Sequence, residues 1–254
     1  MQISLQRITA VSATLLLGLD LCGGFAPSAR AAFVVSPGAA TSTEGDANNS
    51  FPFNITPVGV RSQRYQQVYN SSDFAALGGP ALITRISFRP DNTGAAFSSA
   101  LNVQIHLSTT GAAADGLSGT FADNVGGDDT VVFSGALNLS SAFTGPTAGP
   151  KNFDILINLT TGFRYDPGAG NLLLDVRNFT GGSTTPFDSV KSTSDAVFRV
   201  WSRDVNSATA FVGDSIPTSG LVTGFTTSPV PEPGGFALLG FGTLLLTAHR
   251  HRKA

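Results

Sequence analysis

The sequence predicts an all-β protein, a β-sandwich of jelly-roll type, and three observations carry that expectation. Apolar and polar residues alternate over several short stretches, the period of a strand with one buried face. Turn formers are abundant, with 29 glycines and 14 prolines among 254 residues, which suits short strands joined by tight connections. Of the 17 acidic residues only Glu44 and Glu232 are glutamates. Aspartate suits turns and loop ends whereas glutamate suits helices, so few long helices are expected.

The clearest strand is LNVQIHLSTTG, where Leu101, Val103, Ile105 and Leu107 point one way and Asn102, Gln104 and His106 the other. FDILINLTTG repeats the pattern with Phe153, Ile155, Ile157 and Leu159 before a similar Thr-Thr-Gly. Strands commonly end in such turns, so the likeness does not require a duplication. Further strands are expected over 59–69, 82–88, 130–137, 172–176, 196–201 and 221–225. Arg89-Pro90-Asp91, Gly126-Gly127, Asp166-Pro167-Gly168 and Gly181-Gly182 punctuate them as turns. Strands with one apolar face each must bury those faces together, and two packed sheets do so most simply. A parallel β-helix is the alternative, but no fixed repeat supports it. Residues 32–55 read as a loose leader or a first edge strand, and 56–227 as the sandwich domain.

The two ends read differently from the middle. Arg7 precedes an apolar stretch over 8–25, and small residues stand at Ala29 and Ala31. This is the layout of a secretory signal peptide over 1–31, cut by signal peptidase after Ala31, although Asp20 interrupts the apolar run. A lipoprotein reading would use Cys22, but Leu21 precedes it where a small residue is wanted. Signal removal takes away Cys22, the chain's one cysteine. The mature protein then has no disulfide and no cysteine ligand, and its stability must come from its core. At the other end 234–248 carry no charge and are rich in Leu, Phe and Gly. That is somewhat short of the roughly 20 apolar residues of a bilayer span. Arg250, Arg252 and Lys253 follow and would hold the basic tip in the cytoplasm, with the folded part outside. A single transmembrane helix is expected here.

Val230-Pro231-Glu232-Pro233, the short Gly/Leu-rich span and the basic end, taken together, resemble the PEP-CTERM sorting signal of exported Gram-negative proteins. The resemblance covers 228–254 and implies that Pro231, Glu232 and Pro233 form the motif recognised by exosortase, a membrane transpeptidase-like protease. It implies further that 234–248 are a transient anchor oriented by Arg250, Arg252 and Lys253. The tail would be removed as the protein moves from an inner-membrane-anchored periplasmic intermediate to the cell surface or beyond. The middle also resembles the uncharacterised β-rich domains found ahead of such tails, through RYQQVYNSSDF, ITRISFRPD and DPGAGNLLLDV. That resemblance implies homology of the domain and no particular activity.

The chemistry legible in the middle is sparse. A net charge of −2 and the lack of a clustered basic stretch argue against nucleic acid as a partner. His106 is the one histidine ahead of the C-terminal tip. A Ser-His-Asp site would have to run through it, and zinc sites of His and Cys fail on count. Gly213-Asp214-Ser215 resembles the nucleophile block of one lipase class, but no histidine follows it before the tail. Asp123, Asn124, Asp128 and Asp129 offer hard oxygen ligands for calcium on a Gly-flexible loop, without EF-hand spacing; a solvated turn is the other reading. Tyr65 and Tyr69 fall on one face and with Trp201 could stack on sugar rings, though aromatic residues at strand spacing also suit a core. Two of the aspartates could form a glycosidase pair if the fold brought them together. The expected function is therefore a non-enzymatic, exported cell-surface or extracellular-matrix protein, structural or adhesive and linked to exopolysaccharide, with no cofactor. A carbohydrate-binding module with calcium and a polysaccharide hydrolase using paired aspartates are the alternatives.

Overall fold

The computed structural model describes residues 31–55, 62–191, 196–211 and 219–230, and these form an all-β, sandwich-like unit. Sheet I runs in the order β1 (Ala32–Ser36), β12 (Thr223–Pro229), β4 (Ala81–Phe88), β7 (Ile155–Tyr165). Sheet II runs β10 (Val197–Ser202), β3 (Gln63–Tyr69), β8 (Asn171–Asn178), β5 (Phe97–Thr110), β6 (Thr130–Ser141). A small third sheet is made of β11 (Gly220–Leu221), β9 (Phe187–Val190) and β2 (Ala47–Asn49). Each of these ladders is antiparallel, so the parallel β-helix is not what forms.

The period of two does the work the sequence suggests. Leu101, Val103, Ile105 and Leu107 of β5 and Leu172, Leu174 and Val176 of β8 are buried from sheet II. They share one core with Ile83, Ile86, Phe88, Ile155, Ile157 and Phe225 of sheet I. Phe74, from the 3-10 segment Ser71–Leu77, plugs one end against Tyr165 and Phe225 at ring distances of 5.0 and 5.3 Å. Gly78 ends that segment in the left-handed region at φ 70°, where a side chain would be strained.

Several boundaries differ from expectation. Of the two readings of 32–55 the edge strand is the one that forms, with β1 paired along β12, and β2 additionally joins the third sheet. The stretch expected at 221–225 is split at Val222 into β11 and β12, and β12 runs on to Pro229. Phe153 lies outside β7, because Asp154 N donates to Asn152 O in a tight turn. Its ring packs instead on a small cluster of Val35, Ala40 and Val222.

Register defines two poles. At the first, Ala32 pairs with Thr227, Pro229 with Ala81, and Ala81 with Tyr165. The connections 70–80 and 166–170 turn there. At the opposite pole Ser36 pairs with Thr223, Thr223 with Phe88, and Phe88 with Ile155, so the connections 37–46, 89–96 and 142–154 turn there. Between β5 and β6 an excursion containing α1 (Phe121–Asn124) folds over the outer face of β3 and β8, where Leu117 packs on Val68 and Leu173. No helix of the described residues is long and apolar enough to cross a membrane, and the span expected at 234–248 lies outside them.

Candidate functional site

At the opposite pole, chain segments distant in sequence converge on one buried arginine. Arg89 follows the last residue of β4, and its side chain is 1% exposed. Its Nε donates to Asp188 Oδ2 at 2.6 Å and its Nη2 to Thr43 O at 2.6 Å, while the guanidinium stacks 5.1 Å over Phe153. The second oxygen of Asp188 accepts from Gly45 N at 2.9 Å. The backbone binds the same elements, through Asp188 N to Arg89 O and Val222 N to Asp188 O, both 3.0 Å. Gly45 must be glycine: a Cβ there would meet Ser189 O at 2.1 Å.

Two further carboxylates crowd this pair. Glu44, Asp91 and Asp188 bring oxygens within 4.8 Å of one another. Asp91 Oδ1 accepts from Thr93 N at 2.9 Å and from the Thr93 hydroxyl, closing an Asx turn. Glu44 Oε1 accepts from Asn92 N at 2.9 Å, and its Oε2 is buried without a partner. Burial pushes the Asp188 carboxyl up to about 6; Arg89 pulls against that, and the Glu44 charge adds to it. A cavity of about 210 Å³, lined by Pro37, Ala40, Thr43, Glu44, Gly45 and Val190, opens beside the group.

Chemically the group is a latch with surplus negative charge. Both Asp188 oxygens are occupied and the residue is 0% exposed, so a glycosidic oxygen arriving from solvent does not reach it. A calcium ion takes six to eight oxygens, and most of those present already serve N–H or O–H donors.

The residues singled out in sequence are placed elsewhere. Tyr65 and Tyr69 are 0% exposed and Trp201 is 7%, so they do not form an open row for sugar rings. The reason is register: β3 lies inside sheet II, and residues 63, 65, 67 and 69 face inward. There the Tyr65 hydroxyl donates to Gln67 Oε1 and that of Tyr69 meets Thr223 Oγ1 at 2.9 Å. Burial raises the pKa of both phenols. Asp123, Asn124, Asp128 and Asp129 do not converge on a calcium position either. Asp123 accepts from Ser118 Oγ, Asp128 from Thr109 N, and Asp129 faces His106 Nδ1 at 3.0 Å. Asn124 is 1% exposed and turned inward to Gln66 Oε1. His106 sits on the outward side of β5 with Gln104 Oε1 on its other nitrogen. Residues 213–215, Ala29, Pro231, Glu232, Pro233, Arg250, Arg252 and Lys253 lie outside the described residues.

Reading the sequence alone misses Glu44, Arg89, Asp91 and Asp188 as a group. Arg89 and Asp91 are visible only as a turn, and Asp188 is one aspartate among many. Phe211 is also missed: it is 52% exposed and stacks on Trp201 at 5.4 Å, with Arg203 5.7 Å from both ring centres. Comparison with protein-family models, curated proteins and solved structures finds no match for this chain.

Proposed function

We propose that this chain is an exported, surface-displayed protein of a Gram-negative bacterium, non-enzymatic and structural or adhesive, associated with exopolysaccharide. The observation that carries the reading is where the first and last strands of the described residues lie. β1 begins at Ala32, the residue after the expected signal cleavage, and β12 ends at Pro229, two residues before Pro231-Glu232-Pro233. Among the described residues the first and last strands pair with each other, so removing both flanking segments would take away no described strand. The sandwich is of jelly-roll type in this reading, supported by β1-β12-β4-β7 facing β3-β8-β5-β6, an order built from two Greek keys.

Mass spectrometry of the exported protein from its native host, beside the Glu232→Ala variant, tests the sorting. Loss of the tail in the natural chain and its retention in the variant are expected; an intact C-terminus in the natural chain defeats the reading. A polysaccharide-binding role is a second reading, favoured by the exposed Phe211 ring backed by Trp201. An exposed aromatic face of this kind suits the apolar face of a sugar. Phe211→Ala should then lower retention on the host's exopolysaccharide without shifting the melting temperature.

A further inference from the structure

We propose that, while membrane-anchored, the molecule stands on the pole carrying the 70–80 and 166–170 turns and holds the Glu44–Asp91–Asp188 pole away from the lipid. This rests on the anchor reading of 234–248, and its own content comes from the ladders.

Ala32 pairs with Thr227, and the Thr227 hydroxyl donates to Ala32 O at 3.3 Å. The segment entering β1 and the segment leaving β12 therefore sit side by side at one pole. Pro229 pairs with Ala81 and Ala81 with Tyr165, which places the 70–80 and 166–170 turns around the exit. Only 230–233 separate β12 from the apolar run. Four extended residues reach at most about 14 Å. The long axis is far greater: β5 alone has 14 residues, which at about 3.3 Å each span about 45 Å. A tether that short keeps the exit pole within about 14 Å of the bilayer, and the opposite pole reaches it only if the molecule lies on its side. A chain still carrying its signal segment is held at the same pole, because β1 starts there.

The two poles differ in what they present. The standing pole has a shallow depression of about 510 Å³ lined mostly by small side chains, among them Ser71, Ser72, Gly78 and Gly168, together with Asp166. The outward pole carries the carboxylate group and its cavity. Contact with lipid headgroups thus falls to the pole of the 70–80 and 166–170 turns, and an extracellular partner meets the pole of the carboxylate group.

The signal-cleaved chain has no cysteine, so one label can be placed at a time. Ala169→Cys and Ala148→Cys, both at exposed positions, would be labelled with a fluorophore in the chain retaining its tail. The chain is then reconstituted in phosphatidylethanolamine–phosphatidylglycerol vesicles bearing a nitroxide on the headgroup. Flotation reports whether the tail inserts, and urea melts confirm that both variants fold. The expected result is flotation with quenching several-fold stronger at position 169 than at 148. Flotation with equal quenching, or stronger quenching at 148, overturns the orientation. Failure to float overturns the anchor reading beneath it.

Discussion

Two buried ion pairs share nearly the same bond but do different work. On the outer face of sheet II, Arg64 Nη2 meets Asp175 Oδ2 at 2.6 Å, with side chains 12% and 5% exposed; at the outward pole Arg89 meets Asp188 at the same distance, at 1% and 0%. Around Asp175, Gln66 Nε2 donates to it at 2.8 Å and Asn124 Nδ2 donates to Gln66 Oε1 at 2.9 Å, while Arg177 stands opposite Arg64 and His106 opposite Asp175 in the ladders. Arg64 also stacks 4.6 Å over Phe121. Carboxylates are not in excess there, and the network fastens the α1 excursion to β3. Around Asp188, one cation faces three carboxylates. The second pair therefore sits amid surplus carboxylate charge, whereas the first does not.

Arg89→Met should separate the two most sharply. Removing one partner of a buried pair costs roughly 3–5 kcal/mol, and here it also leaves three carboxylates without their cation. The folded Asp188 carboxyl titrates at about 6 against its usual 3.8. The folded chain thus holds an extra proton between those values. The stability this group contributes is complete below about pH 4 and is lost as pH rises through 6, by up to about 3 kcal/mol. Without Arg89 the carboxyl should move higher still. Urea melts should therefore show a wide gap between natural and Arg89→Met chains at pH 8 and a narrower one at pH 5. A gap constant over that range would remove the imbalance from the account.

Arg64→Met should cost less, about 2 kcal/mol, because this pair is partly solvated and Gln66 still donates to Asp175. Its cost should be nearly the same at pH 5 and pH 8, which is the contrast that matters. Asn124→Ala probes the same network one bond further out. Asn124 donates to Gln66 Oε1 and Ser118 O and accepts from Ser118 N at 2.7 Å. Truncation leaves buried groups unsatisfied at about 1–2 kcal/mol. Faster amide exchange should then be confined to the 111–129 excursion.

What was legible in sequence divides along a similar line. The β5 and β7 faces could be read because alternation is local: each side chain's fate follows from its neighbour's. Asp91 as a turn former was legible for the same reason, since its partner is two residues away. β2 and β9 were not, and β1 only as one of two readings, because these short stretches pair with strands up to about 195 positions away in the chain. The calcium and sugar candidates misled because spacing cannot tell which face of a strand is covered. Tyr65 and Tyr69 look like an open row until β10, β8 and the core close around them. Arg89 and Asp188 stand 99 positions apart, and no single-chain pattern announces that they meet.

The smallest expected effect is the most discriminating, because its sign opposes the others. Glu44 Oε2 is buried without a partner, and the Glu44 charge helps to push the Asp188 carboxyl upward. Glu44→Gln keeps an oxygen for Asn92 N while replacing the idle oxygen with an N–H₂ that can donate to the neighbouring carboxylates. Removing one of three like charges should lower the Asp188 pKa from about 6 and stabilise the fold at pH 8 by about 0.5–1 kcal/mol. At pH 4, with Asp188 protonated in both chains, the gain should vanish. If Glu44→Gln instead destabilises at pH 8, the surplus charge is not a burden on this fold, and the outward pole resembles the Arg64 network after all.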